Sequence, residues 1–318
     1  MIKKILLSIS LLLLFGILII GGLYYANDQP LDTLKAKWTY ENSQFVTIDE
    51  MPVHYRINGT GETLVLIHGT GASLHTWEVW TDTLAKDFRV ISLDLPAYGL
   101  TGPHRDGQYT LSFYAQFLDK FLQQIGVEQF SLAGNSLGGG IAWRYASLFP
   151  EKVKKMILID AVAYPQAKEP PLVFRLAKNK ILSKLLLKIS PKFLFEKSMK
   201  EVYYQDDLVD EALIDRYYEL YLRKGNRQAF IDRIRTMQPA DTTLLQNIQI
   251  PSLIMWGKHD EWVLLENAYK FKRDLPQAEL IVYEKAGHVP MEEIPILSAQ
   301  NARSFLQRKT SLAEESKE

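Results

Sequence analysis

The sequence predicts an α/β protein with a doubly wound, mostly parallel sheet of eight strands flanked by helices. Short apolar runs alternate along the chain with longer segments of helical periodicity. Thr63–Ile67, Met156–Ile159 and Ser252–Trp256 are almost entirely apolar, which is typical of parallel strands covered on both faces. The first two runs, Phe45–Ile48 and Val53–Ile57, are separated by a short polar turn. They therefore favour an antiparallel hairpin at the start of the sheet.

The order of these runs divides the chain. Strand-like and helical segments alternate over 43–160 and again over 241–308, which predicts one core built from two stretches of sequence. Residues 161–240 contain helical patterns without a clear strand, and we expect them to form a helical lid. A polar linker is predicted at 27–42 and a disordered tail at 309–318. The other expected elements are the strands Phe88–Leu93, Phe130–Ala133 and Leu280–Tyr283 and the helices Leu74–Ala85, Leu111–Ile125, Leu137–Phe149, Leu264–Asp274 and Leu297–Leu306.

The charge balance and the absence of cysteine exclude several functions. The 318 residues include 37 Lys and Arg and 37 Asp and Glu, so the formal net charge is zero. A chain without a basic excess does not favour a general role in nucleic-acid binding. Because there is no cysteine, the chain has no disulfide, no thiolate metal ligand and no cysteine nucleophile. No His and carboxylate spacing requires a metal, and we expect no cofactor.

The first 26 residues have the composition of a membrane-spanning helix. Lys3 and Lys4 precede 22 uncharged residues, Ile5–Ala26, and about 20 apolar residues suffice to cross a bilayer. Tyr24 and Tyr25 are expected at the membrane interface. We therefore expect a single-pass anchor with a cytoplasmic N-terminus and the rest of the chain outside the cytoplasm, because basic residues stay on the cytoplasmic side. A cleaved signal peptide, which would give a secreted protein, and a buried helix are the alternatives.

The most informative segment lies between a predicted strand and a predicted helix. Phe130–Ala133 leads into Gly134-Asn135-Ser136-Leu137-Gly138, and helical periodicity starts at Leu137. This is the G-x-S-x-G pattern in a strand–turn–helix context, where a sharp turn exposes a serine hydroxyl above the sheet. The helix N-terminus beneath it supplies N–H groups. Ser136 is therefore a candidate nucleophile, and the alternative is a glycine-rich turn in which Ser136 caps the helix.

Further motifs follow in order, and together with this turn they resemble the α/β-hydrolase superfamily over residues 45–308. The resemblance is closest to the lid-bearing branch of bacterial esterases, C–C bond hydrolases and serine-type haloperoxidase-like enzymes. It implies an α/β-hydrolase fold and hydrolytic chemistry, but fold alone does not specify a substrate. Haloalkane dehalogenases and epoxide hydrolases of this fold depend on Asp where this chain has Ser136, and Ala97 stands where the family commonly has Gly. The motifs are His68-Gly69-Thr70-Gly71, Asp94-Leu95-Pro96-Ala97-Tyr98-Gly99, Gly257-Lys258-His259-Asp260 and Gly287-His288.

Six histidines are candidates for the base that a serine hydroxyl needs. His288 follows the last predicted strand in Ala286-Gly287-His288-Val289-Pro290, and the family has its catalytic histidine in this context. A loop histidine that caps a helix is the alternative. By resemblance, His68 shapes the loop that binds the oxyanion. The remaining histidines have weaker claims: His54, His75, His104 and His259.

A carboxylate must orient the base and stabilise its charged form. Asp260 follows the strand Ser252–Trp256 by a short loop and matches the acid position of the family. The order Ser136, Asp260, His288 is the α/β-hydrolase order. Other candidates for the acid stay open: Asp160, which ends the preceding strand, Asp94 and Glu261.

Two backbone N–H groups are expected to stabilise the oxyanion of a tetrahedral intermediate. One belongs to Leu137, the residue after the nucleophile. The other should come from the loop after Thr63–Ile67, where Thr70 is the first choice and Gly71 the next. A simple glycine-rich turn is the alternative.

The first part of the insertion is basic. Residues 165–200 carry nine Lys and Arg and two Glu, and Lys180, Lys184 and Lys188 recur every four residues. On a helix this spacing places the three lysines on one face. That face is either the solvated side of a lid helix or a contact surface for anionic lipid. Three tyrosines farther along either line a pocket or simply pack: Tyr217, Tyr218 and Tyr221.

These features predict a serine hydrolase that cleaves a carboxylic ester through an acyl-enzyme. An apolar acyl group is favoured because the insertion is rich in apolar residues. C–C bond hydrolysis or a perhydrolase-type activity on the same triad is the alternative enzyme. A low-turnover ligand-binding protein is the alternative from a different class. The expected partners are a small-molecule ester and a membrane, and the sequence does not predict the oligomeric state.

Overall fold

The computed structural model describes residue 8, residues 21–165 and residues 168–309. Residues 310–318, which include most of the predicted tail, lie outside these ranges. Eight strands in the described ranges form one sheet. In chain order they are β1 (Ser43–Ile48), β2 (Met51–Asn58), β3 (Glu62–Ile67), β4 (Phe88–Leu93), β5 (Phe130–Asn135), β6 (Val153–Ile159), β7 (Ser252–Gly257) and β8 (Ala278–Tyr283).

The sheet is antiparallel at one edge and parallel elsewhere. Its strand order is β1-β2-β4-β3-β5-β6-β7-β8. The pairs β1–β2 and β2–β4 are antiparallel, and all the other neighbours are parallel. The predicted sheet of eight mostly parallel strands is therefore confirmed. The carboxyl ends of β5, β6 and β7 lie side by side, which brings the residues that follow them to one edge of the sheet.

Helices cover both faces of the sheet. Val65 and Ile67 of β3 belong to an apolar cluster with the helices Leu111–Gln124 and Leu137–Leu148. Leu64 and Leu66 belong to a separate cluster with the helices Glu78–Leu84 and Pro295–Gln307. This alternation is the two-residue period of a strand that is buried on both sides. The helices are α1 (Leu31–Trp38), α2 (Glu78–Leu84), α3 (Leu111–Gln124), α4 (Leu137–Leu148), α5 (Leu172–Lys178), α6 (Leu182–Leu186), α7 (Lys192–Lys200), α8 (Glu211–Tyr221), α9 (Asn226–Thr236), α10 (Glu266–Asp274), α11 (Pro290–Glu293) and α12 (Pro295–Gln307).

Two local features shift the predicted bounds. The predicted helix Leu74–Ala85 begins as a 3-10 turn, Leu74–Trp77, before α2. The hairpin turn is tighter than expected, because Asp49 and Glu50 adopt positive φ angles of 47° and 66°. Two consecutive residues with positive φ allow a two-residue connection between antiparallel strands, so β2 starts already at Met51.

The insertion between β6 and β7 consists of the helices α5–α9. The sequence favoured one basic helical face there, and the structure does not form it. Of Lys180, Lys184 and Lys188, only Lys184 lies in α6. The side chain of Asn179 accepts hydrogen bonds from the N–H groups at the start of this short helix, and the chain leaves it again after Leu187. The four-residue spacing therefore does not place the three lysines on one helix.

Residues 24–30, here called the N-terminal strap, pair with the insertion along their backbone. The N–H of Ala26 donates to the carbonyl of Lys188 at 2.9 Å, and the N–H of Gln29 donates to the carbonyl of Leu222 at 2.8 Å. The helix α1 follows directly. The stretch expected as a polar linker thus contains a helix and backbone hydrogen bonds to the insertion.

The prediction of a single-pass membrane protein conflicts with the described ranges, in which no helix is long and apolar enough to cross a bilayer. The longest of them, α3, has 14 residues. At 1.5 Å per residue it extends about 21 Å, whereas the hydrocarbon core of a bilayer is about 30 Å thick. Residues 1–7 and 9–20 of the expected anchor lie outside the described residues. Tyr24, expected at a membrane interface, packs edge-on against Phe193 of the insertion with 5.5 Å between ring centroids.

Asp28 of the strap is the ionic partner of a buried arginine, and its removal tests the strap. Arg227 is 1% exposed, and its Nη2 lies 2.6 Å from Asp28 Oδ1. Asp28→Ala leaves the guanidinium without its carboxylate and is expected to lower the free energy of unfolding by about 1–3 kcal/mol. The decrease in the free energy of unfolding should lie near the lower end of this range, because the Asp28 side chain is 37% exposed. Urea unfolding measures it, with exposed Glu41→Ala as the control, and equal effects of the two variants would contradict the role of the strap.

Candidate active site

Ser136 lies at a sharp turn between β5 and α4. Its φ and ψ angles are 54° and −113°, which a side-chain-bearing residue adopts only under constraint. Glycines supply the constraint: a Cβ on Gly134 would lie 2.2 Å from the carbonyl oxygen of Gly138, and one on Gly138 would lie 2.1 Å from that of Ile67. Hydrogen bonds hold Ser136 itself, whose N–H donates to the carbonyl of Ile159 at 2.9 Å. The turn therefore fixes the hydroxyl of Ser136 at the sheet edge.

His288 and Asp260 form a buried hydrogen-bonded pair. His288 Nδ1 lies 2.6 Å from Asp260 Oδ2. The other oxygen, Asp260 Oδ1, accepts the N–H groups of Trp262 at 2.7 Å and Val263 at 2.9 Å. Three donors thus converge on this carboxylate and hold it in place. The arrangement orients the His288 ring and leaves Nε2 as the atom able to take a proton.

Asp160, the alternative acid, lies beside this pair as a second buried carboxyl. Asp160 Oδ1 accepts the N–H of Gly257 at 3.0 Å, and Oδ2 is buried without a hydrogen-bond donor. One carboxylate oxygen of Asp160, one of Asp260 and a ring nitrogen of His288 lie within 4.8 Å of one another. Burial, followed by the negative charge of Asp260, raises the pKa of Asp160 well above its usual value. We therefore interpret Asp160 as a protonated neighbour of the ionised acid.

Two residues that the sequence analysis did not assign hold the His288 loop. The Nδ2 of Asn135, next to the nucleophile, donates to the carbonyl of His288 at 2.9 Å. Glu293 accepts the N–H of Gly287 at 2.7 Å and that of Tyr204 at 2.7 Å. Burial raises the pKa of Glu293, against the lowering effect of these backbone hydrogen bonds. Glu293 lies only five residues after His288 in the sequence, but its contact with Tyr204 depends on how the insertion folds.

His68 braces the loop that precedes the predicted oxyanion site. Its Nε2 accepts the N–H of Leu95 at 2.9 Å, and its Nδ1 lies 2.8 Å from the carbonyl of Gly69. These contacts fit a neutral ring with its proton on Nδ1. Burial lowers the pKa of His68, which favours the same form.

Leu137 and Thr70, the residues predicted to donate to the oxyanion, lie on two segments that border Ser136. Thr70 and Gly71 line the same cavity as Ser136. The loop backbone passes directly against the nucleophile, since a Cβ on Gly69 would lie 3.2 Å from Ser136 Cβ. Leu137 is the first residue of α4, where N–H groups have no acceptor within the helix. Thr70 and Leu137 thus lie beside Ser136, and their N–H groups stay the predicted oxyanion donors.

Asp94 is engaged inside its own loop. Its Oδ1 accepts the N–H of Leu74 at 2.7 Å, and its Oδ2 contacts Leu100 N–H at 2.7 Å and His54 Nδ1 at 2.8 Å. Burial acts to raise the pKa of Asp94, but His54, together with His68 and His75, outweighs it and the pKa falls to about 2. Ala97 in this loop has a φ of 83°, the left-handed conformation in which glycine is the usual residue. Asp94 therefore organises a loop and is not next to His288.

A cavity of about 190 Å³ separates these residues from the insertion. Ser136, Thr70 and His288 line one side of it, and His288 is the one histidine among its described lining residues. The other side is mostly apolar and aromatic. It includes Val173, Phe174, Leu176, Leu186, Ile189, Leu194, Phe195, Tyr217, Tyr218, Tyr221 and Phe230. The three tyrosines noted in the sequence thus line the cavity.

Asp160, Asp260 and His288 also form the cluster of described residues that could hold a metal ion. The short contact between His288 and Asp260, and the raised pKa of Asp160, match an acid–base set better than three ligands held apart by a cation. Glu261, the remaining candidate acid, is exposed and pairs with Lys168 at 3.1 Å. It takes no part in this cluster.

A family model of the alpha/beta hydrolase fold matches residues 62–295. The match covers more than half of the chain, so the protein belongs to this family, and the resemblance inferred from the motifs is confirmed. Hydrolase activity is supported by the relatives that share the fold.

The relatives include ester and C–C bond hydrolases. The chain is 26% identical over 322 aligned positions to Lipase 3 of a Moraxella species, which covers 93% of this chain and 96% of the lipase. It is 29% identical over 256 positions to the 2-hydroxy-6-oxononadienedioate/2-hydroxy-6-oxononatrienedioate hydrolase of Paraburkholderia phymatum. That alignment covers 75% of this chain and 85% of the relative. Among solved structures, a membrane phospholipase A described as a bacterial virulence factor superimposes with a TM-score of 0.70 at 27% identity, over 96% of this chain and 98% of that chain.

The roles of the two neighbouring carboxyls can be separated by amide substitution. Asp260→Asn replaces the acceptor of His288 Nδ1 and is expected to lower kcat by roughly 10³–10⁴-fold, as in serine proteases that lose this carboxylate. Asp160→Asn keeps the shape of a protonated carboxyl and should cost less than about tenfold. Steady-state kinetics on a chromogenic ester measures both. A larger loss for Asp160→Asn than for Asp260→Asn would transfer the role of acid to Asp160.

The raised pKa of Asp160 makes a separate prediction about stability. Its folded-state pKa lies above the unfolded value of about 3.9, so the wild type loses stability as pH rises from that value toward the folded pKa. The amide of the Asp160→Asn variant cannot ionise. The stability of this variant relative to wild type should therefore increase with pH, by at most about 1.4 kcal/mol per pH unit. Urea unfolding between pH 5 and pH 8 measures this difference, and a difference that does not change with pH would contradict the assignment.

Proposed function

We propose that the protein is a serine hydrolase that cleaves carboxylic esters with an apolar acyl group. The observation that carries the proposal is the His288–Asp260 pair, which shares with Ser136 one side of a cavity whose other side is apolar. A hydroxyl, an oriented imidazole and a buried carboxylate together are the arrangement that activates a serine.

The reaction runs in two halves on these residues. Ser136 Oγ attacks the ester carbonyl while His288 Nε2 takes its proton, and Asp260 stabilises the resulting imidazolium. The N–H groups of Leu137 and Thr70 stabilise the oxyanion. When the C–O bond to the alcohol breaks, His288 gives its proton to the leaving oxygen, and an acyl-enzyme on Ser136 remains. His288 then removes a proton from water, which attacks the acyl carbon, and the acid leaves as Ser136 regains its proton.

The lining of the cavity supports the choice of substrate class. Phe174, Leu186 and Phe230 belong to an apolar wall, and Lys197 and Glu201 are the residues of fixed charge among the described lining. An apolar acyl chain is desolvated favourably in such a site. A lipase and a phospholipase are among the proteins that the chain is similar to over nearly its whole length.

C–C bond hydrolysis is the second candidate, because one relative of 29% identity cleaves a dienedioate. A substrate with two carboxylates requires cationic partners for both. The cavity offers one lysine against one glutamate, which supports an ester more than a dicarboxylate. A perhydrolase-type activity would use the same three side chains. A low-turnover binding protein would need no activated serine.

Activity-based labelling and an ester series test the proposal together. The wild type should react with a fluorophosphonate, and Ser136→Ala should lose both the labelling and more than 95% of the hydrolysis while its melting temperature stays within a few degrees. On p-nitrophenyl esters, kcat/KM should rise from acetyl to octanoyl because the longer chain buries more apolar surface. Lack of labelling would favour a binding protein. Labelling with turnover of a dienedioate but of no ester would favour C–C bond hydrolysis.

A further inference from the structure

A second cavity, of about 230 Å³, lies where the insertion returns to the core. The start of α3 and the residues Trp143 and Arg144 of α4 line it from the core side. Arg233 of α9 and the segment 237–241 line it from the insertion. It is separate from the cavity that contains Ser136, and the proposed reaction uses none of its residues.

Arg233 lacks the partners that other buried arginines have. It is 5% exposed, and its Nε and Nη1 are buried without a hydrogen-bond acceptor. By contrast, Arg223 donates to the carbonyls of Leu100 at 3.2 Å and Thr101 at 3.1 Å, and Arg227 is paired with Asp28. A guanidinium stays charged in proteins, so burial without an acceptor is unfavourable. The position of Arg233 is therefore suited to an anion from outside the chain.

Arg144 and a helix N-terminus add positive charge to the cavity, and one exposed carboxylate, that of Asp241, opposes it. Arg144, half-buried, donates from Nε to Ser112 Oγ at 3.2 Å. Ser112 lies in the first turn of the 14-residue helix α3, whose N-terminal N–H groups carry partial positive charge. Asp241 is the carboxylate in the described lining, and it is exposed. Its Oδ1 already accepts the N–H of Thr243 at 3.2 Å and the hydroxyl of Thr243 at 2.6 Å.

We propose that this cavity binds a small organic carboxylate, whose oxygens accept hydrogen bonds from Arg233 and Arg144. The walls favour a ligand with an apolar part over a bare ion, because Leu111, Trp143 and Leu244 also line the cavity. A bound carboxylate bridges the core and the insertion. It also fixes α9, which lines the active cavity through Phe230, three residues before Arg233.

Thermal unfolding of the full chain with sodium butyrate tests the proposal, with sodium chloride at equal ionic strength as reference. A ligand that binds the folded state raises the melting temperature progressively with its concentration. Wild type should show this rise, and Arg233→Met should lose it. In chloride alone Arg233→Met should melt no lower than wild type, because it removes an unpaired buried charge. The matched control is Arg235→Met, on the same helix, whose guanidinium contacts Ser183 Oγ at 2.7 Å. It should keep the response to butyrate.

Two other responses would contradict the proposal. Butyrate that stabilises Arg233→Met as much as wild type binds elsewhere, including the active cavity. A phosphate response as large as that of butyrate would show that the apolar walls do not select the ligand. If Arg233→Met fails to fold, Arg144→Met replaces it and should weaken the butyrate response at least threefold in midpoint concentration. An unchanged midpoint in that variant overturns the proposal. Hydrolysis is not measured, so the result does not depend on the proposed activity.

Discussion

The backbone of Ser136 is the constraint on which the site depends. A residue with φ of 54° and ψ of −113° keeps that conformation only if its surroundings leave no alternative. Here the surroundings are the close approach of Gly134 to Gly138 and of Gly138 to the end of β3. Any side chain at either glycine would push the helix α4 away from the sheet. The same packing that strains Ser136 therefore also positions the first N–H groups of α4 beside its hydroxyl.

The charges around His288 are arranged so that one carboxyl is ionised and its neighbour is neutral. Asp260 receives three donors, whereas Asp160 receives one backbone donor, the N–H of Gly257. Two buried anions at this distance would repel each other, and the donors decide which carboxyl keeps its proton. A neutral Asp160 fills the space beside Asp260 without competing for the proton of His288. The pair can thus hold an imidazolium during the reaction with little change in the surrounding structure.

The sequence predicts the framework of this protein better than its insertion. Apolar runs such as Thr63–Ile67 predict strands because burial on both faces is a local property of composition, and the strand–turn–helix context of Ser136 is equally local. The neutral state of Asp160 depends on Asp260, which is 100 residues away in the sequence. Likewise, Arg233 is unpaired because the described residues packed around α9 offer no acceptor to its Nε and Nη1. The prediction that Lys180, Lys184 and Lys188 share one helical face is wrong. Asn179 accepts hydrogen bonds at the start of a short helix, Leu182–Leu186, which contains only the second of these lysines. The membrane prediction rested on the length of an uncharged run, which says nothing of the contacts that Tyr24 makes with the insertion.

The N-terminal strap has a consequence for the order in which the chain can fold. Asp28 and Arg227 are 199 residues apart, so the strap leaves the ribosome long before its partners exist. At about 5–20 residues per second, the delay is about 10–40 s. During this time the core strands β1–β6 can pair, whereas the strap has no backbone partner on the insertion. Docking of residues 24–30 is therefore a late, long-range event, and it completes the insertion only when α9 has been synthesised.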